Sequence, residues 1–133
     1  MNEEKFKKIG KYALIIPEDF AWPRKPYVVL DVSGSSIIIE EKVTFASGVY
    51  VWTHDHPYYK PNWLDLPPIK NPEPTVFKHH SFIGVNSIIL SKCKIIGEYS
   101  VIGAGSVVTK NVPAFQIHAG NPAKKIGEVE RYG

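Results

Sequence analysis

The sequence predicts an all-β fold: a solenoid of short parallel strands, with one extruded loop and a short N-terminal segment outside the repeat. Three observations predict it. Large apolar residues recur every six positions, at Ile39, Phe45 and Val51, at Phe77, Ile83 and Ile89, and, after one extra residue, at Ile96, Ile102 and Val108. Four residues after each stands a second, smaller class, Val43, Val49, Ser81, Ser87, Cys93, Ser100, Ser106 and Val112, broken only by Asp55 between His54 and His56. An Ile-Gly pair repeats at Ile83-Gly84, Ile96-Gly97 and Ile102-Gly103, where a corner needs a bend or a close approach. A six-residue period suits neither an α-helix nor a strand with two alternating faces. It suits a coil in which each short side gives one large residue to an interior column.

The elements follow from these patterns along one domain of 133 residues. Residues 1–26 lack the beat; Glu3 to Lys11 has room for a short helical turn, and Pro17, Pro23 and Pro26 force an extended path after it. Coils occupy 27–56, starting as strand at Tyr27 to Leu30, with Ser33-Gly34-Ser35-Ser36 as a corner. Residues 57–76 hold six prolines together with Tyr58, Tyr59 and Trp63, so they read as one proline-stiffened loop ejected from the solenoid. Coils resume over 77–113, and the seven-residue step from Ile89 to Ile96 predicts a one-residue bulge within Leu90 to Ile95. Residues 114–133 form a tail with a turn at Ala119-Gly120-Asn121-Pro122-Ala123. A coil this short leaves apolar surface at its ends and walls, which predicts an oligomer.

Composition excludes several classes. The net charge is +3, from 16 Lys and Arg against 13 Asp and Glu, which is too weak and too dispersed for a nucleic-acid surface but suits a phosphate-bearing small molecule. The single cysteine, Cys93, excludes an intrachain disulfide and a cysteine zinc cluster, and its place in the small-residue column reads as a packed thiol. No apolar run is long enough to span a membrane. The charged start Met1-Asn2-Glu3-Glu4-Lys5, with no apolar run after it, does not read as a signal peptide, so the expected location is the cytoplasm.

Ile102-Gly103-Ala104-Gly105-Ser106-Val107-Val108-Thr109-Lys110-Asn111-Val112-Pro113, with the later Ala119-Gly120-Asn121-Pro122-Ala123-Lys124, resembles the C-terminal end of the hexapeptide-repeat acyltransferases. Phe45-Ala46-Ser47-Gly48-Val49-Tyr50-Val51, ending in His56-Pro57, is similar to the segment that carries that family's catalytic histidine. Among its members the chain looks most like the maltose, galactoside and polysaccharide O-acetyltransferases, over roughly residues 27–126. The resemblance implies a left-handed parallel β-helix, a homotrimer with sites between neighbouring subunits, and acetyl-CoA as acyl donor. It also implies a sugar acceptor modified at a hydroxyl or, less readily, an amine. The chain departs from the maltose type in lacking its N-terminal helical extension, in the extra residue within Leu90–Ile95, and in His79-His80.

Acetyl transfer needs a base for the acceptor proton, a donor to the developing oxyanion and a grip on coenzyme A. A neutral imidazole suits the first role, and His56, by its match to the family histidine, is the first candidate; His54 is the second. Asp55 orients an imidazole, binds the acceptor, or is a solvated loop residue. The resemblance puts a backbone oxyanion donor near Gly84-Val85 and coenzyme A contacts at Ala104, Thr109, Lys110 and Lys124, with Lys124 where the family often has Arg. Tyr58 and Trp63 offer a sugar-stacking face or an anchor to a neighbouring subunit. Of His79 and His80, only one can face a cleft, and His79 is a candidate for the acceptor site. No metal is expected. Two competing readings are a non-catalytic β-helix scaffold and a carbonic anhydrase-like β-helix, whose paired histidines at a spacing of five are absent here.

Overall fold

A computed structural model describes residues 5–131; Met1–Glu4 and Tyr132–Gly133, and with them the Glu3–Glu4 start of the expected helical turn, lie outside the described residues. The fold is the expected left-handed parallel β-helix, with three walls. The first wall stacks β1 (Phe6–Ile9), β3 (Val28–Asp31), β6 (Tyr50–Val51), β9 (Ile88–Ile89) and β12 (Val107–Val108). The second stacks β2 (Leu14–Ile15), β4 (Ile37–Ile39), β7 (Thr75–Phe77) and β10 (Ile95–Ile96). The third stacks β5 (Thr44–Phe45), β8 (Phe82–Ile83), β11 (Val101–Ile102) and β13 (Gln116–Gly120), with β14 (Ala123–Glu128) at its edge. Strands of successive coils pair in parallel, and the closing β13–β14 hairpin is antiparallel. That hairpin turns at the Gly120–Ala123 step, so the tail ends the third wall instead of trailing from it.

The register explains the beat. Phe77 lies beside Ile96, Ile83 beside Ile102 and Ile89 beside Val108. Parallel stacking sets each large residue on its counterpart one coil away, and all nine are at most 2% exposed. The smaller column is buried too, apart from Asp55. Three of its four hydroxyls bond to coil carbonyls: Ser100 Oγ donates to Gly97 O at 2.6 Å, and Ser87 and Ser106 both donate to Gly103 O; that of Ser81 has no partner among the described residues. Burial pushes the Cys93 thiol up to about 12, which keeps it protonated and unreactive as a packed residue. Gly84 follows its strand because a Cβ there would lie 2.6 Å from the Ala104 nitrogen of the next coil.

The N-terminal segment differs from expectation. Among the described residues no helical turn forms; Phe6–Ile9 is strand, paired in parallel with Val28–Asp31, and Leu14–Ile15 pairs with Ile37–Ile38. Both lay a further layer on walls already built, where an edge strand's free donors and acceptors outbid a short isolated helix. Beyond them Phe20 and Trp22 close the end of the interior column: Trp22 stacks on Phe45 with centroids 6.3 Å apart and on Phe6 at 4.4 Å. Residues 57–74 leave the stack as one loop with a single 3₁₀ turn at Trp63–Asp65, and β7 rejoins β4 directly. The extra residue of the seven-residue step falls in the turn before β10, where Asn111 Oδ1 accepts from the backbone N–H of Lys94 and Ile95 at 2.7 and 3.1 Å.

Candidate functional site

The corner between the first and second walls gathers the chemistry. β3 ends in Asp31, and β6, its parallel neighbour, runs into Thr53 and His54 one coil later. The stacking therefore sets a carboxylate beside an imidazole. His54 Nδ1 is 2.6 Å from Asp31 Oδ2; the Asp31 side chain is fully buried, while that of His54 is 38% exposed. Thr53 N–H also donates to Asp31 Oδ2, at 3.0 Å. Ser33 donates to Asp31 Oδ1 twice, through its hydroxyl at 2.5 Å and its backbone N–H at 3.2 Å. Burial alone would raise the Asp31 carboxyl; the hydrogen bonds from Ser33, His54 and Thr53 outweigh it and hold the group below its ordinary value. Thr53 fastens the arrangement from behind, giving its hydroxyl to Asp31 O at 2.7 Å and accepting from Gly34 and Ser35 N–H.

An ionised Asp31 fixes the tautomer of its neighbour. Nδ1 of His54 must carry the hydrogen, which it gives to Asp31, with Ser33 Oγ 2.9 Å away as a second acceptor. In the neutral ring the lone pair is then on Nε2 of an exposed side chain, which is the form a general base requires.

The structure separates the two candidate bases. His56 has no carboxylate hydrogen-bonded to its ring among the described residues; its backbone N–H is taken by Asp55 Oδ1 at 2.7 Å, and its ring lies 5.1 Å from that of Trp63. A cavity of about 260 Å³ next to His54 is lined by His54, Asp55, Leu90, Ser91, Lys92 and Thr109. It brings together His54, Asp55 and Thr109 of the sequence candidates, with Lys110 adjoining on the same corner. Gly84, Val85 and Ala104 stand on the corner between the third and first walls, Val85 and Ala104 exposed there. Lys124 is exposed on β14. His79 is on the corner after β7, bonded through its ring to His80 at 2.9 Å and lining a separate groove with Ile15, Ile39 and Glu40, so one chain does not bring it to His54. Tyr58 is 77% exposed on the loop, and Trp63 is half-buried against His56. Sequence reasoning missed Asp31, Ser33, Ser91 and Lys92. The legible signal was Asp31, the one acid in the apolar run Val28-Val29-Leu30-Asp31-Val32. Among the described residues no group of three His, Cys, Asp or Glu could hold a metal ion, and no helix is long and apolar enough to cross a membrane.

No family model matches the sequence. A maltose O-acetyltransferase from Clostridium difficile 630 superimposes with a TM-score of 0.69 at 25% identity, over 96% of this chain and 60% of that one. A dTDP-3-amino-3,6-dideoxy-alpha-D-galactopyranose 3-N-acetyltransferase of Aneurinibacillus thermoaerophilus is 47% identical over 55 residues, 41% of this chain and 28% of that protein. Protein CapG of Staphylococcus aureus is 36% identical over 99% of this chain and 74% of its own length. The chain belongs to the hexapeptide-repeat acyltransferase family. The chain spans about a quarter of the length of several of the curated relatives it matches.

Proposed function

We propose that this chain transfers the acetyl group of acetyl-CoA to a hydroxyl or amine of a sugar-containing acceptor, with His54 as the general base. The observation that carries the reading is the His54–Asp31 pair: an exposed imidazole held at 2.6 Å by a fully buried carboxylate, opening on a cavity shared with Thr109. One relative and one solved neighbour, both named above as acetyltransferases of sugars, support the reaction class. His54 Nε2 takes the proton from the acceptor as it attacks, Asp31 stabilises the imidazolium so formed, and His54 returns the proton to the departing thiolate. Acetyl-CoA, when bound, supplies a thioester whose carbon–sulfur bond breaks as the acetyl–acceptor bond forms. Thr109 and Lys110, adjoining the cavity, fit the donor's approach.

The active form in this reading is a homotrimer in the cytoplasm. Gly84, Val85 and Ala104 lie on a different corner from His54, so they join its site only from a neighbouring subunit. A trimer of parallel coils, as the family resemblance implies, gives that arrangement.

Thiol release from acetyl-CoA with a panel of nucleotide sugars and simple saccharides tests the proposal. We expect His54→Ala to lower acceptor-dependent turnover by at least about a hundredfold, the scale of general-base loss, and His56→Ala by less than about tenfold. The reverse order would return the base to His56. Absence of both turnover and coenzyme A binding would leave a non-catalytic scaffold.

A further inference from the structure

The cavity beside His54 has one wall that the repeat does not explain. Leu90, Ser91 and Lys92 form it, at the start of the segment where the six-residue beat takes a seventh residue. The lengthened turn is pinned on several sides. Cys93 N–H bonds to Leu90 O at 3.0 Å, the Cys93 side chain is buried in the interior column, and Asn111 Oδ1 caps Lys94 and Ile95. The insertion therefore carries Ser91, half-buried, and Lys92, exposed, on backbone that lines the same cavity as His54 and Asp55.

Lys92 is the cation in that lining, and it takes part in none of the three ion pairs among the described residues. The Asp55 carboxylate across the cavity accepts the His56 N–H through Oδ1. A lysine with no ion-pair partner among the described residues, lining one cavity with the proposed base and with Ser91, is suited to an anion brought by a substrate.

We propose that Lys92, with Ser91, recognises an anionic group on the acceptor, a carboxylate or a phosphate close to the atom that receives the acetyl group. This rests on the reading of His54 as the base. Coenzyme A also carries phosphates, but its whole pantetheine arm separates them from the reacting thioester. The anion that meets Lys92 beside His54 therefore belongs to the acceptor.

The test compares matched pairs, galacturonate with galactose and glucose 1-phosphate with glucose. Binding to the full-length protein in the presence of coenzyme A is followed by NMR through the Ser91, Lys92 and His54 signals. The proteins are wild type, Lys92→Gln and Lys92→Arg. We expect at least one anionic member to bind about tenfold or more tighter than its neutral partner, the scale of a hydrogen bond to a charged group. Lys92→Gln should abolish the difference, Lys92→Arg should keep part of it, and affinity for coenzyme A should stay within about twofold, since Lys92 lies off its phosphates in this reading. Equal binding within each pair, including none, overturns the proposal. So does discrimination that survives Lys92→Gln, or a loss that falls on coenzyme A instead. Failure of the acetyltransferase reading shows separately, as turnover indifferent to His54→Ala or as no coenzyme A binding at all.

Discussion

Asp31 interrupts a run of apolar residues, and the whole run Val28–Val32 is buried. A carboxylate there is costly to ionise unless donors replace its water. The donors are Ser33 N–H and Oγ–H, Thr53 N–H and His54 Nδ1–H. Asp31→Asn keeps the shape but offers an amide that favours the other imidazole tautomer. We expect it to fold, by circular dichroism, and to lower turnover at least about a hundredfold, on the scale of losing a properly protonated base. An Asp31→Asn protein of near wild-type activity would remove the dyad from the reaction. The sequence analysis named His54 as the second candidate base and did not name Asp31, although the acid stands as a break in pattern; what it could not state was their pairing. The family motif carries its histidine before a proline and so singles out His56. That His54 meets Asp31 depends on how coils 23 residues apart in sequence are stacked, a register no local motif states. Asp31 and His118 also set how the protein responds to acid. His118 is held below its ordinary value, chiefly by burial and then by Lys125, and Asp31 is below its own. A depressed pKa gives stability that is complete above the unfolded value and is lost as pH falls through the folded one. The His118 contribution is therefore lost below its ordinary 6.5 and that of Asp31 below 3.8. Urea titrations across this range should show two losses of stability, and His118→Gln should remove the upper one alone.

At the scale of elements, two-residue strands have almost no propensity of their own, and they exist because stacking satisfies both edges and buries one large residue per side. Ile83 is fully buried between Phe45 and Ile102 in the third wall. Ile83→Ala should cost about 2–5 kcal/mol, because the coils above and below cannot close on the cavity it leaves. Val85, two residues on and 42% exposed, should tolerate alanine within about 0.5 kcal/mol in the isolated chain. Equal losses, measured by urea unfolding, would contradict an interior column as the main source of stability. The same logic explains what was legible. The beat, the extra residue and the ejected loop are periodic or compositional and show in the chain itself. The strand at Phe6–Ile9 does not, because it is made by the free edge of Val28–Asp31 and not by its own pattern.

At the scale of the whole molecule, the single chain looks incomplete. Tyr58, Tyr59, Leu64 and Ile69 of the ejected loop are each at least 77% exposed, more apolar surface than a lone loop tip usually shows to water. Tyr50, Phe82 and Ile95 stand half-exposed on the outer faces of three different walls. In the proposed trimer neighbouring subunits would cover such surfaces, and the division of the candidate site residues between corners would give them a chemical reason as well: His54, Asp55 and Thr109 on one, Gly84, Val85 and Ala104 on another. If each site takes its base from one subunit and its third corner from the next, two inactive variants should repair each other. His54→Ala removes the base, and Ala104→Trp fills an exposed position on the far corner without touching the core. Each variant alone should be nearly inactive. Unfolded together in equal amounts and refolded, they should regain about a quarter of the wild-type turnover per site, since that share of interfaces in a random closed ring joins an intact His54 to an intact Ala104. Simple mixing without refolding should give nothing until subunits exchange. A mixture no more active than its parts would place the whole site within one chain, and a mass other than three subunits by sedimentation would remove the ring itself.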